Sequence, residues 1–212
     1  MSDNADRRPL KTRQRAWARR LARFFVQQGV TPNQMSLASV GLALLGAGAY
    51  WGSNTERPVL RLILLLLAAL CIQLRLLSNM LDGLMAVEEG KKTPTGGIYN
   101  ELPDRMADVI FLVAAGYAAG WPELGWIASL LAVLTAYVRA LGASFGFKQD
   151  FCGPMAKPHR MFTLTVGSVL SAFLPSLPIL AITVGVIILG SALTIMRRTF
   201  HLNRNLSGHH DN

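Results

Sequence analysis

Cysteine is scarce in this chain. Its 212 residues include two cysteines, Cys71 and Cys152. They lie far apart, one in an apolar run and one in a polar loop, which excludes a disulfide framework and a metal site built on closely spaced cysteines. Charge is scarce as well: 16% of residues are charged against 51% hydrophobic, and mean hydropathy is +0.35. That balance excludes an ordinary soluble domain and places the chain in the membrane class. Acidic residues are rarer still, 12 against 21 Lys and Arg, for a net charge of +9. The excess does not point to nucleic acid, because eight of the 21 basic residues lie between Arg7 and Arg23. A basic edge on an apolar body is the pattern of a cytoplasmic face near anionic headgroups. The first 23 residues contain no apolar signal core, so no cleavable signal peptide is expected. No internal repeat is visible.

What is present is helical in pattern. Residues 7–28 read as a basic amphipathic helix, with Leu10, Trp17, Leu21, Phe24 and Phe25 interleaved with arginines and Gly29 at its end. Such a helix lies in the membrane interface rather than across it. Six apolar segments follow, at about 34–52, 59–87, 101–120, 122–145, 160–175 and 177–198, each near the ~20 residues that cross a bilayer. The expected fold is therefore an all-α integral membrane protein. It has a basic arm over 1–28, a six-helix membrane domain over 29–200 and a loose polar tail over 201–212. With the N-terminus inside, Lys91, Lys92, Lys148, Lys157, Arg160, Arg197, Arg198 and Arg204 join the arm on one side, while Arg57 and Arg61 lie near the other. This asymmetry predicts both termini in the cytosol.

The acids are concentrated where the second segment ends and the third begins. Ser78-Asn79-Met80-Leu81-Asp82-Gly83 is followed, after a glycine-containing loop, by Asn100-Glu101-Leu102-Pro103-Asp104-Arg105-Met106-Ala107-Asp108. A carboxylate in the bilayer costs upwards of about 2.5 kcal/mol, so this group needs a shared counter-charge. Spacings of three and four put Asn79 with Asp82, and Glu101 with Asp104 and Asp108, on one face of each helix. An all-oxygen donor set suits Mg²⁺ or Mn²⁺ rather than zinc, and such ions often act together with substrate phosphates. Two other readings fit the same residues. One is a buried ion-pair cluster neutralised by Arg75, Arg105 or Arg139. The other is a cation or proton pathway.

Asp82-Gly83-Leu84-Met85-Ala86, with Asp104-x-x-x-Asp108 after a spacer, resembles the signature of the CDP-alcohol phosphotransferase family, D-x-x-D-G-x-x-A-R followed by G-x-x-x-D-x-x-x-D. Thr31-Pro32-Asn33 is similar to the start of that family's first span. The resemblance implies transfer of a phosphatidyl group from CDP-diacylglycerol, or a related CDP-lipid, to a small alcohol with release of CMP, using two Mg²⁺ or Mn²⁺ ions. It implies Asp82 and Asp104 as metal ligands, and Asp108 as the base that takes the alcohol's proton, close to a metal. It implies Gly83 and Ala86 as sites of close nucleotide approach, with Thr31 and Asn33 on the CDP-lipid side. It also implies a homodimer. Three positions depart from the signature: Asn79 stands for its first aspartate, Val87 for its arginine and Asn100 for its second glycine. Glu101 is expected to restore the carboxylate missing at Asn79, whose amide oxygen remains a neutral ligand. Arg75 is expected either to meet a phosphate or to pair with Asp82.

On the acceptor side, Arg139, Lys157 and Arg160 are expected to hold an anionic group, arginine by paired contacts and lysine as a point charge. That favours a phosphorylated alcohol. Lys157 and Arg160 are equally readable as inside-facing loop charge. The rival reading from another class is a non-catalytic relative or transporter that binds a cation or CDP-lipid without turnover. A third is the same fold acting on a CDP donor linked to a sugar or polyol.

Overall fold

A computed structural model of the chain describes residues 16–88 and 96–209. All regular structure among them is helical: α1 (Ala16–Gln27), α2 (Pro32–Gly52), α3 (Pro58–Glu88), α4 (Gly96–Ala118), α5 (Pro122–Ser144), α6 (Lys157–Phe173) and α7 (Ile179–His209). The expected segments are recovered, with shifts of a few residues at most ends. Residues 7–15 of the basic arm, and Lys91 and Lys92, lie outside the described residues.

α1 docks by small residues, with Leu21, Phe25 and Val26 packed alongside them. Ala18 and Ala22 are buried against a cluster that includes Met35 of α2 and Leu81, Leu84 and Met85 of α3, while Trp17 and Phe24 face outward. Trp17 and Phe24 are thereby left for an interface. The helix closes where Gly29 turns to a φ of 78°, and Val30 N–H bonds back to Phe25 at 3.0 Å. A left-handed glycine after the last turn is a common helix stop. α2 starts at once, with Thr31 and Gln34 exchanging side-chain and backbone bonds of 3.2 and 2.9 Å and Pro32 in the first turn.

The core is made where α4 packs between α2 and α5, and α6 between α3 and α7. Phe111, Leu112, Leu65, Ile72, Leu164 and Ile187 fill it. Small residues allow the close crossings. A Cβ on Gly116 would sit 2.6 Å from the Gly125 backbone, and one on Gly46 would meet the Phe111 ring at 2.5 Å. Outward positions remain apolar, among them Leu37, Leu44, Ile63, Leu130, Leu189 and Phe200.

Among the described residues, four helical stretches are long and apolar enough to cross a membrane: Pro32–Gly52, Pro58–Ala86, Pro122–Ser144 and Ile179–Ser207. The other two expected spans fall on α4, which carries the acids, and on α6, which has 17 residues. The loose tail expected from residue 201 is instead helical to His209. Arg198 explains part of this: its guanidinium reaches the carbonyls of Thr135 and Cys152 at 2.6 and 3.0 Å and anchors the end of α7 to α5 and the loop after it.

Candidate functional site

Arg75, Asn79 and Asp82 are spaced by four and three on α3, so they climb one face of that helix. Asp104 and Asp108 do the same on α4, and Lys157 and Arg160 occupy the first turn of α6. The fold brings these three faces together with Ser36 of α2. Asp82 is 3% exposed, and its Oδ2 accepts from Ser36 Oγ at 2.5 Å. Its Oδ1 is buried with no hydrogen-bond partner among the described residues.

Asp104 is met from two helices. Asn79 Nδ2 donates to its Oδ1 and Lys157 Nζ pairs with its Oδ2. Its backbone carbonyl accepts from Arg75 Nη2 at 2.7 Å. Asp108 is clamped by two guanidiniums: Arg160 Nη2 donates to Oδ2 at 2.6 Å, and Arg75 Nη2 lies 2.7 Å from Oδ1, a close ion pair outside hydrogen-bonding alignment. Both arginines are fully buried. Buried charges persist only when paired, and here, among the described residues, three carboxylates face three cations. Lys157 and Arg160 stand in the first turn of a helix, where the backbone dipole disfavours cations and favours anions. Their positions answer to the carboxylates, and without those partners the α6 start is an anion-binding arrangement.

The residues fit a divalent cation of the Mg²⁺ and Mn²⁺ class. The donors are carboxylate oxygens, one of them an orphaned buried atom on Asp82, and Asp104 is close enough to Asp82 to act on it electrostatically. Asp82, Asp104 and Asp108 are thus gathered as expected. Asn79 joins them as a donor to Asp104. Gly83 is buried one residue beyond Asp82, and Ala86 is half-buried one turn beyond it.

Other expectations are corrected. Glu101 is not among the acids. Its side chain is 54% exposed and is taken by Arg105 at 2.8 Å and Arg139 at 2.8 and 2.9 Å. At the start of α4 its long side chain meets an arginine one turn on and another across on α5, so its charge is spent there. Arg105 and Arg139 therefore do not neutralise the buried acids by contact. Arg139 also lies with its guanidinium 5.4 Å from the Phe151 ring centre, so it is not grouped with Lys157 and Arg160. Arg75 pairs with Asp108 and Asp104 rather than with Asp82, which is two turns along the same helix and out of its reach. The Thr31 hydroxyl caps α2, and Asn33 is half-buried in the next turn. Asn100 is half-buried near the start of α4. The Val87 side chain lies outside the described residues. Sequence reasoning missed Ser36, whose only signal was a hydroxyl one turn into an apolar helix that begins Thr31-Pro32-Asn33.

No profile of a known protein family matches the chain. An Aquifex aeolicus protein of unassigned function is 30% identical over 192 residues, covering 88% of this chain and 89% of its own. A phosphatidylinositol phosphate synthase of Mycolicibacterium smegmatis is 28% identical over 199 residues, covering 85% of this chain and 81% of its own. An archaetidylinositol phosphate synthase of Pyrococcus horikoshii is 21% identical over 189 residues, covering 88% and 91%. Among solved structures, the phosphatidylinositol phosphate synthase of Mycobacterium tuberculosis in complex with manganese and citrate superposes with a TM-score of 0.74 at 20% identity, over 87% of this chain and 88% of that one. The same enzyme with CDP-DAG bound gives 0.73 at 21% identity, over 87% and 92%.

Proposed function

This chain belongs to the CDP-alcohol phosphotransferase family, and on that premise we propose that it moves a phosphatidyl group from CDP-diacylglycerol to a small phosphorylated alcohol and releases CMP. The observation that carries the reading is the burial of Asp82, Asp104 and Asp108 beside Arg75, Lys157 and Arg160, on faces of three helices. Relatives with phosphatidylinositol phosphate or archaetidylinositol phosphate in their names support it, as does a neighbour solved with CDP-DAG.

Asp82, Asp104 and Asp108 would hold Mg²⁺ or Mn²⁺, two ions in our reading, with Asn79 and Ser36 orienting the carboxylates. Such ions, when bound, stabilise charge on the entering and leaving phosphate oxygens. Glu101 is left out of this set because its carboxylate is held by Arg105 and Arg139. The buried Gly83 next to Asp82, and Ala86 one turn on, keep that stretch of α3 free of bulk for the nucleotide. Asp108 takes the proton of the acceptor hydroxyl as the alcohol oxygen attacks the lipid-side phosphorus. The phosphorus–oxygen bond to CMP breaks in the same exchange, and CMP leaves with the electron pair. For this Asp108 must yield one of its two arginine contacts. An anionic acceptor supplies the exchange: its phosphate gives Arg160 and Lys157 a partner at the α6 start and frees the carboxylates.

We also assign six spans, with α4 and α6 crossing alongside the four apolar helices. Packing supports this, because α4 lies between α2 and α5 and α6 between α3 and α7, which shields their polar residues from lipid. Basic residues at one end support cytosolic termini and an active site open to the cytosol and inner leaflet. A homodimer completes the reading.

One observation favours a second reading. Among the described residues the three buried carboxylates already face three cations, as a non-catalytic CDP-lipid binder would have it. CMP release separates the two. Purified protein is given CDP-diacylglycerol, Mn²⁺ or Mg²⁺ and pooled acceptors, among them glycerol 3-phosphate, inositol phosphate and serine. Metal-dependent CMP that disappears in Asp108→Asn establishes the transferase, and separating the pool names the acceptor. CDP-diacylglycerol binding with no CMP from any acceptor favours the binder.

A further inference from the structure

The fold assembles a second constellation of metal-binding atoms, separate from the acids. Asp150 and Cys152 lie in the loop between α5 and α6, and His201 lies near the end of α7. Asp150 Oδ2, Cys152 Sγ and His201 Nδ1 form a triangle with edges of 3.1, 3.2 and 3.7 Å. A tetrahedral zinc with ordinary bond lengths separates a sulfur from a nitrogen or oxygen by about 3.5 Å, and two lighter ligands by about 3.3 Å. The three atoms therefore already stand about where one face of a zinc tetrahedron requires them.

The scaffold holds them there. Asp150 Oδ1 accepts the Cys152 backbone N–H at 2.7 Å, which fixes the carboxylate and leaves Oδ2 turned to the thiol and the imidazole. Arg198, one turn before His201, donates to the Cys152 carbonyl at 3.0 Å and to the Thr135 carbonyl at 2.6 Å. The loop is thus tied to α7 and α5 beside the triangle, so few groups remain to be ordered on binding.

We propose that Asp150, Cys152 and His201 bind a zinc-class divalent ion, with water as the fourth ligand, and that this ion clamps the α5–α6 loop onto α7. The donor set decides the class. Thiolate with imidazole selects zinc and its borderline neighbours, and Mg²⁺ and Mn²⁺ prefer the all-oxygen acids. The site does not depend on the reaction proposed above. Its position gives it reach into that site, however, because the clamped loop runs directly into the first turn of α6, where Lys157 and Arg160 stand. The proton balance is simple. Burial and the neighbouring Asp150 push the Cys152 thiol up to about 11, so the free chain carries S–H there. Forming the metal–sulfur bond expels that proton to the buffer, one per ion.

The test uses full-length protein without an affinity tag, titrated with Co²⁺ in excess Mg²⁺. A thiolate-to-cobalt charge-transfer band should appear and saturate at one ion per chain, and Zn²⁺ should displace it. Cys152→Ser should abolish the band. His201→Gln and Asp150→Asn should each weaken binding at least ~100-fold, since even groups behind the ligands are worth 10- to 100-fold. His209→Ala with His210→Ala, in the tail, should leave the titration unchanged. Zinc should also slow hydrogen exchange over residues 147–156 in the native chain and not in Cys152→Ser. No thiolate band, a band that survives Cys152→Ser, or binding lost with the tail histidines while His201→Gln binds normally would each overturn the proposal.

Discussion

Replacing Arg75 with methionine removes a charge while keeping most of the side-chain volume, at a position with no solvent exposure. Three acceptor atoms lose a partner: the Asp104 carbonyl and Asp108 Oδ1, each 2.7 Å from Nη2, and Asp104 Oδ1 at 3.4 Å. Breaking a buried pair by removing one member costs about 3–5 kcal/mol, because the other charge is left uncompensated. Asp108 keeps Arg160 at 2.6 Å, which places the cost near the lower end, about 3 kcal/mol. For a chain of this size each kcal/mol moves the melting temperature by roughly 2–4 °C, so Arg75→Met should melt about 6–12 °C below the parent in the same detergent. Tryptophan fluorescence or size exclusion after a heating series reads this directly. The control is Arg105→Met. That arginine, itself mostly buried, pairs by hydrogen bond with Glu101, whose side chain is half exposed, and such a partly exposed pair should cost about 1 kcal/mol, the upper end for exposed pairs. The decisive arm is Arg75→Met with Asp108→Asn. If the cost is an unpaired carboxylate, neutralising Asp108 should return part of the lost stability, a coupling within the 0.5–3 kcal/mol seen for contacting residues. Additive losses, or an Arg75→Met variant within a degree or two of the parent, would refute the pairing.

Other consequences are simpler to read. Glu101→Gln should retain much more CMP release than Asp104→Asn in a side-by-side assay, because Glu101 pairs with Arg105 and Arg139 instead of the buried acids. Ser36→Ala should leave the fold intact and raise the Mn²⁺ concentration needed for half-maximal CMP release by about 10- to 100-fold, since Ser36 orients Asp82. Gly125→Ala should cost about 1–3 kcal/mol in a melting series, because its Cβ would lie 2.8 Å from the Leu112 carbonyl; Gly48→Ala, which meets nothing within 4 Å, should be silent. Thr31→Ala should lower stability by about 1 kcal/mol through loss of the helix cap, with little change in the affinity for CDP-diacylglycerol.

The helices were legible because apolar runs of bilayer length, broken by proline, glycine and charge, leave little freedom in their placement. Pro32, Pro58 and Pro122 mark helix starts, and Gly29 and Gly120 with φ of 78° and 75° mark turns. Asp82, Asp104 and Asp108 were legible too, because acids in such runs are costly and their spacing aligns them. What the sequence could not show is which cation meets which acid. Arg75 is closer in sequence to Asp82, but a helix carries residues seven apart about 10 Å along its axis, and α4 lies across from it. Glu101 shares the helix and face of Asp104, yet Arg139, distant in sequence, draws it outward. Asp150, Cys152 and His201 are invisible as a group until α7 runs past the α5–α6 loop.

The balance inside the acid cluster also bears on what Asn79 does. A signature with a fourth aspartate at this position would place four carboxylates against Arg75, Lys157 and Arg160 and leave one charge for a metal to neutralise. With Asn79 in its place the cluster's charges cancel among the described residues, and Asn79 spends its amide on Asp104. Metal binding then needs anions to arrive with it, and the phosphates of the CDP-lipid and of a phosphorylated acceptor are suitable ones. Restoring the acid, Asn79→Asp, should therefore tighten Mn²⁺ binding in the absence of any substrate. It should also weaken the dependence of metal binding on the nucleotide lipid. If metal affinity without substrate is unchanged in Asn79→Asp, charge balance is not what governs the site.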